Sequence, residues 1–279
     1  MKLSIITVNL NNREGLQKTI DSVVSQTFRD FEWIVIDGGS TDGSKELIEQ
    51  YADHFAYWVS EPDKGIYNAM NKGIKVAKGE YLQFLNSGDC LWDEQTLQEV
   101  IPYLSGIDIL YGDVALIKEG SCIGFKIHED RLKMSALYES CLSHPSSFIR
   151  AELLHEEPYD ESFKIVSDWK FFIRKTLERR SLLHLPCIVS AFDLSGISST
   201  AISLLEKERI QIGVEEIPDP ILADLEDIYK MERDWQMQAF QKYRSKRIYH
   251  KMITIFLKFI KAIDSLVPQK KWIVDPKYR

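Results

Sequence analysis

Cysteine is scarce. Cys90, Cys122, Cys141 and Cys187 are scattered through 279 residues with no C-x-x-C pair. That pattern argues against a zinc site or a disulfide framework and fits a reducing cytoplasm. No apolar run approaches the ~20 residues needed to span a bilayer. The N-terminus, MKLSIITVNLNN, runs straight into a strand pattern without a small-residue cleavage site. A signal peptide is therefore not expected. Internal repeats and low-complexity segments are absent too. The glycines after the second apolar run, Gly38, Gly39 and Gly43, do not make G-x-G-x-x-G. A Rossmann dinucleotide site would place that motif after the first strand.

A general positive excess is also lacking, since the formal net charge is -7. The balance is uneven. Residues 240–279 carry 11 Lys/Arg against 2 Asp/Glu, and the preceding 239 residues carry 24 against 40. An acidic body with a basic tail is not the footprint of a nucleic-acid binder. It points to a tail with its own anionic partner. Within 242–271, apolar residues from Ile248 to Val267 recur at helical spacing and are flanked by lysines and Arg247. This pattern predicts an interfacial helix on an anionic membrane surface. A helix packed on the domain or across a homodimer is the alternative.

What is present is alternation. Leu3 to Val8, Phe31 to Ile36, Tyr57 to Val59, Tyr81 to Leu85 and Ile107 to Tyr111 read as strands. Arg13 to Ser25, Ser44 to Tyr51, Tyr67 to Val76 and Gln95 to Leu104 read as helices by their apolar spacing. Such alternation predicts an α/β fold with a mostly parallel sheet covered on both faces. Short strands are expected at 114–117, 123–127 and 147–149, and a helix near Asp168. Residues 182–192 read as a strand broken by Pro186. From Ser203 the chain reads as helical to near Leu266, interrupted at IPDP.

Open parallel sheets bind ligands beyond the carboxyl ends of their strands. Four polar tips fall on that edge: Asn9 to Asn12, Asp37 to Asp42, Glu61 to Lys64, and Asn86 to Asp89. In FLNSGD, Asn86, Ser87 and Gly88 are turn formers. Asp89 at their end is the natural ligand for a divalent cation, which one or two carboxylates and a ligand's phosphates hold together. Asp93 reads instead as the start of the next helix. Asp168 precedes an aromatic helical face. A carboxylate there suits a helix N-terminus, where the dipole favours negative charge. A plain helix cap is the competing reading.

SIITVNLNN, FEWIVIDGGSTDGS, SEPDKGIYNAMNKGI and KGEYLQFLNSGD, in that order, resemble the inverting family 2 glycosyltransferases. YGD (111–113), SHPSSFIR (143–150), YDESFKIVSDWKFFIR (159–174) and FDLSGISS (192–199) extend the resemblance to about residue 196. It implies a GT-A (Rossmann-like) fold in residues 1–200, with a nucleotide-sugar-binding half (1–112), an acceptor half (113–200) and a helical extension (201–279). It implies a UDP- or GDP-linked sugar donor and a glycan or lipid-linked acceptor, as in bacterial surface polysaccharide synthesis. Mn²⁺ or Mg²⁺ would be the cofactor, at the cytoplasmic face of the cell membrane. By the same resemblance, Asp37 contacts the nucleobase, with Val8 and Asn9 lining that pocket. Asp63, Lys64, Asn71 and Ser87 are donor-binding candidates. Asp89 binds the metal, Asp168 is the catalytic base, and His144 and Asp193 lie in loops that meet the acceptor or the leaving phosphates. Three positions depart from the family pattern. Leu10 stands where Tyr is frequent, Met70 where Arg is frequent, and Gly88 where an acid often touches the ribose. A sugar-phosphate nucleotidyltransferase shares the layout but needs a basic, glycine-rich loop after the first strand, and NLNNREG has one Arg and one Gly. A non-catalytic nucleotide-binding relative is the third reading.

Overall fold

A computed structural model describes residues 1–196 and 201–230. Strand β1 (Leu3–Asn9) is buried along its whole length. An unbroken apolar run requires cover on both faces. Strands β2 (Phe31–Asp37) and β3 (Tyr57–Ser60) extend the sheet in parallel on one side of β1, and β4 (Tyr81–Phe84) on the other. The connections are helical: α1 (Arg13–Val24), α2 (Ser44–Gln50) and α3 (Ile66–Val76). Asn12 caps α1 by accepting the Gly15 N–H. Gly73 seats α3 against β1, because a Cβ there would stand 2.5 Å from Ile6 Cγ2.

The second half follows β5 (Cys90–Leu91) and α4 (Thr96–Val100). It comprises β6 (Ile109–Lys118), β7 (Ser121–Lys126), α5 (Met134–Glu139), β8 (Ser147–Arg150), α6 (Ala151–Glu156), α7 (Ser167–Leu177), β9 (Leu182–Asp193) and α8 (Ile202–Glu216). The strand order is β3-β2-β1-β4-β8-β6-β9-β5, with β7 paired to β6. Strand β8 runs antiparallel to both β4 and β6, so the sheet changes direction there. The expected α/β GT-A layout, with a helical segment after it, is what the chain adopts.

Several elements differ in extent from the sequence reading. The runs at 107–111 and 114–117 are one strand, β6, because Gly112 and Asp113 continue the ladder to β9. Pro186 does not break β9. The register to β6 shifts there, Gly112 pairing with Leu185 and Asp113 with Ile188. A bulge leaves the missing proline N–H without a ladder partner to satisfy. The helix expected over 95–104 stops at Val100 and tightens into a 3₁₀ turn, Ile101–Tyr103, around Pro102. Helices α5 and α6 are too short to leave a clear periodicity.

Met1–Pro218 form one compact unit. Within it α8 packs on α7, where Arg174 bonds Glu216 at 2.5 Å through Nε. Glu208 of α8 accepts the Lys164 and Ile165 N–H groups at 2.9 and 3.0 Å. The second unit is Asp219–Arg279, of which 219–230 is helical. The basic stretch 242–271 and the rest of the helix expected to reach Leu266 lie outside the described residues. No helix among the described residues is long and apolar enough to cross a membrane.

Candidate active site

The parallel register places Asn9 beside Asp37 and Asp37 beside Ser60. Asp37 is fully buried. It accepts hydrogen bonds from Asn9 Nδ2 (2.7 Å), Ser40 Oγ (2.5 Å), Ser40 N (2.9 Å) and Ser60 Oγ (2.6 Å). Burial pushes its pKa up, but the bonds from Ser40, Ser60 and Asn9 outweigh this and hold the carboxyl below its usual range. Asp37 does not line the neighbouring cavity and meets it through Asn9. With Nδ2 committed to Asp37, Asn9 Oδ1 is left buried without a donor. An unpaired buried acceptor at a cavity wall is a place for a ligand N–H.

That cavity has a volume of about 690 Å³, and Val8, Asn9, Asp63, Lys64, Ser87 and Asp89 all line it. Asp63 Oδ1 accepts the Gly65 N–H at 2.8 Å and shapes the tip. Asn71 lines neither this cavity nor the next. Its amide clamps Tyr159 through both backbone groups, at 2.8 and 3.0 Å.

Asp89 closes the FLNSGD turn. Its N–H reaches Asn86 O at 2.9 Å, and Gly88 takes φ 105°, a conformation that side chains other than glycine's rarely permit. Thr19 of α1 braces the turn by accepting the Gly88 N–H and donating to Asp89 O. The Asp89 side chain is 4% exposed. Burial pushes its pKa up to about 8. The Asp193 N–H, at 3.1 Å, opposes that shift, and the Asp193 charge adds to it. Asp193 thus stands in the larger cavity beside Asp89, at the end of β9. A Cβ on Gly88 would lie 3.6 Å from Asp193 Oδ2. A second carboxylate thus stands beside the turn, from a residue 104 positions beyond Asp89. No three His, Cys, Asp or Glu side chains converge as a metal cluster among the described residues.

A second cavity of about 320 Å³ adjoins the first and shares Ile66, Tyr67, Asn86, Lys164 and Phe192 with it. Asp168, in the first turn of α7, and His144 both line it. Tyr67 Oη donates to Asp168 Oδ1 at 2.8 Å and lies 2.6 Å from Ile165 O. Cys141 Sγ is 3.8 Å and His144 Nδ1 4.0 Å from Asp168 Oδ2. His144 stacks on Phe84 at 4.8 Å and shares a hydrogen with Tyr159 Oη. Burial lowers the His144 pKa, against the pull of the Asp168 charge. His144 is therefore a neutral wall of the cavity at pH 7.

Sequence pattern alone does not single out Tyr67, Lys126 or Arg209 as lining residues. Tyr67 sits one position into α3, where the aromatic reads as an apolar helix residue. Arg209 comes from α8, outside every motif. The only cue to Tyr67 was its place two residues after the EPDKG tip.

A parallel sheet that turns antiparallel, with carboxylates at its strand tips and two adjoining cavities beyond them, defines a GT-A glycosyltransferase. The chain belongs to glycosyl transferase family 2, whose profile matches residues 4–151. It is 34% identical over 207 residues to an uncharacterized glycosyltransferase of Mycobacterium tuberculosis, covering 71% of this chain and 77% of that protein. It is 30% identical over 218 residues to a PGL/p-HBAD biosynthesis glycosyltransferase of Mycobacterium bovis, covering 75% and 82%. Among solved structures, Staphylococcus aureus TarS 1–349 superposes with a TM-score of 0.62 at 21% identity, over 81% of this chain and 69% of that one. A mannosyltransferase of Pyrobaculum calidifontis in complex with GDP-Man and Mn²⁺ also gives 0.62, at 15% identity, over 96% and 88%. These two likenesses concern the fold.

Proposed function

We propose that this glycosyltransferase is inverting and moves a sugar from a nucleoside-diphosphate sugar to a hydroxyl of a glycan or lipid-linked glycan. The donor would occupy the larger cavity and the acceptor the smaller one. The observation that carries the reading is their shared rim. Tyr67, Asn86, Lys164 and Phe192 border both spaces, with Asp89 in one and Asp168 in the other. An acceptor hydroxyl beside Asp168 would face an anomeric carbon held on the far side of that rim.

Asn9 Oδ1 is free to accept from a nucleobase, and Asp37 holds the amide in that orientation. Lys64 stands where it can meet phosphate oxygens. Asp168 takes the proton of the acceptor hydroxyl as that oxygen bonds to the anomeric carbon. The bond from that carbon to the diphosphate breaks with its electron pair leaving on phosphate. One displacement inverts the anomeric centre, and the proton then passes from Asp168 to solvent. Asp89 and Asp193 fit a divalent cation, Mn²⁺ or Mg²⁺. A buried carboxyl whose pKa burial has raised to about 8 gains from a cation, and a second carboxylate stands beside it. Two protein carboxylates are too few for a complete shell, which suits an ion finished by donor phosphates. When bound, the ion offsets negative charge on the leaving diphosphate.

Surface polysaccharide or glycolipid synthesis is the setting that the sequence relatives favour. Residues 1–200 would form the catalytic part, and the tail 242–271 would hold the enzyme on an anionic membrane. The test is Mn²⁺-dependent release of nucleotide from UDP- and GDP-sugars, by wild type, Asp89→Ala and Asp168→Asn. Wild-type turnover with loss in both variants is expected. Absence of turnover on every donor, with a lipid-linked acceptor supplied, would refute the proposal.

A further inference from the structure

The smaller cavity carries an unusual charge for this molecule. Residues 1–239 hold 24 Lys/Arg against 40 Asp/Glu, yet Lys126, Lys164 and Arg209 line this cavity while Asp168 is its single carboxylate. None of the three cations forms an ion pair with a carboxylate among the described residues. Elsewhere in the same unit cations are paired closely. Lys170 meets Asp160 at 2.8 Å, and Lys175 meets Glu157 at 2.6 Å.

Two of the three are held in place without being neutralised. Lys126, the last residue of β7, donates to Ser140 Oγ at 2.8 Å and to Cys141 O at 2.5 Å. An ammonium has three N–H donors, so one remains. Arg209 stands over Trp169, its Cζ 4.6 Å from the ring centroid, and spends one N–H on Tyr138 O. Trp169 is itself fixed by its indole N–H on Leu137 O at 2.6 Å. Among the described residues, most of the guanidinium fork is left for a planar or tetrahedral anion. Burial works against the Lys126 charge and lowers its pKa, so an unneutralised ammonium here carries a cost that a bound anion removes. The leaving diphosphate is not the natural partner. Lys126 and Arg209 line the smaller cavity and not the donor cavity.

We infer that the acceptor carries an anionic group, a phosphate or a carboxylate, on or next to the sugar that is glycosylated, and that Lys126, Arg209 and Lys164 bind it. This rests on the acceptor reading of the smaller cavity. It adds a substrate class: neutral glycans are poor acceptors, and phosphorylated, diphosphate-linked or uronate-bearing ones are good. Lys164, exposed at the shared rim, would close over the anion from the donor side. The local positive charge would also draw an anionic acceptor to an otherwise acidic body.

The experiment uses the full chain with nucleoside diphosphate and Mn²⁺ present. A hexose 1-phosphate, a hexuronate and a methyl hexoside are titrated by calorimetry, against wild type, Lys126→Met, Arg209→Gln and Lys164→Gln. Wild type should bind at least one of the two anionic probes about tenfold or more tighter than the neutral one, as charge-assisted hydrogen bonds imply. The phosphate and carboxylate arms tell which anion the pocket takes. Lys126→Met and Arg209→Gln should each lose most of that preference while affinity for the nucleoside diphosphate stays within about twofold, and Lys164→Gln, at the shared rim, should lose the preference whatever it does to the diphosphate. Arg209→Lys should restore part of the loss. Equal affinity for all three probes, no binding of any, or an unchanged preference in the variants would overturn the inference. Failure of wild type to bind any nucleoside diphosphate would instead sink the glycosyltransferase reading, and the same titrations report it separately.

Discussion

Tyr67→Phe removes one oxygen from the junction of the two cavities. In the wild type, burial first and the Asp168 charge second raise the Tyr67 pKa well above its ordinary value. The phenol therefore stays protonated and acts as a donor. Its single hydrogen faces two acceptors, Asp168 Oδ1 at 2.8 Å and Ile165 O at 2.6 Å. A hydrogen bond to a charged group contributes about 1.5–3 kcal/mol, and sharing puts this one near the lower end, about 1.5 kcal/mol. The other contacts of the carboxylate are weak, with a thiol at 3.8 Å and a neutral imidazole at 4.0 Å. Without Tyr67 the base loses its one short hydrogen bond among the described residues and samples other rotamers. Loss of a donor also strengthens a carboxylate as a base, which acts the opposite way, but a misplaced base gains nothing from strength. With each 1.4 kcal/mol worth a factor of ten, kcat should fall about tenfold. The acceptor KM should change less than kcat, because the phenol's hydrogen is committed to Asp168 and Ile165 O. Steady-state transfer at saturating donor, with melting curves alongside, measures both. In an Asp168→Asn background the same substitution should cost nothing further. An unchanged kcat in the single variant, or a full additional loss in the double variant, would refute the positioning role.

Gly73→Ala drives a methyl into Ile6 Cγ2, 2.5 Å from the built Cβ, and should destabilise the protein by about 1–3 kcal/mol in urea unfolding. Adding Ile6→Val should recover part of that loss. Asp37→Asn should lower the melting temperature most at neutral pH. The folded carboxyl titrates below its unfolded value of about 3.9, so its stabilisation is present above that value and fades as pH falls through the lower folded one. The gap between wild type and variant should therefore narrow below pH about 4, and a gap constant with pH would contradict the hydrogen-bond account. Asp193→Ala should weaken Mn²⁺ binding in the presence of nucleoside diphosphate by about tenfold or more and change metal-free nucleotide binding far less. Isothermal titration with and without metal separates the two.

The first ninety residues were legible because they are built from local signals. Each strand in 1–90 ends in a polar cluster, and parallel pairing with Asn9, Asp37 and Ser60 in register puts the clusters side by side. Asp89 could be picked from FLNSGD because a carboxylate ends a turn that already needs glycine at φ 105°. Its neighbour was hidden by distance in the chain. Asp193 reads from sequence as a loop residue that meets the acceptor or the leaving phosphates, and the structure makes it the last residue of β9. Only the β5–β9 pairing, Cys90 with Ala191, brings it to Asp89. The same limit hid Lys126 and Arg209, which come from a hairpin and a helix with no motif. Pro186 misled for a local reason, since a proline interrupts a strand except where the ladder already skips. Asp37 was legible as important, but its role as the anchor of Asn9 needed the positions of Ser40 and Ser60.

The reversal of strand direction at β8 divides the enzyme's labour along the chain. Most of what faces the larger cavity comes from the strand tips before Leu91 and the start of α3, and Glu161 to Lys164 and Phe192 to Gly196 return to complete it. The smaller cavity takes most of its wall from β6, β7 and the helices that follow. Exchange between relatives would therefore not separate the two cavities cleanly. The segment from Ile109 to Glu216 carries Asp168 to the smaller cavity and Asp193 and Lys164 to the larger one, so a lineage that swapped it would have to keep the strand tips of the first ninety residues matched to both.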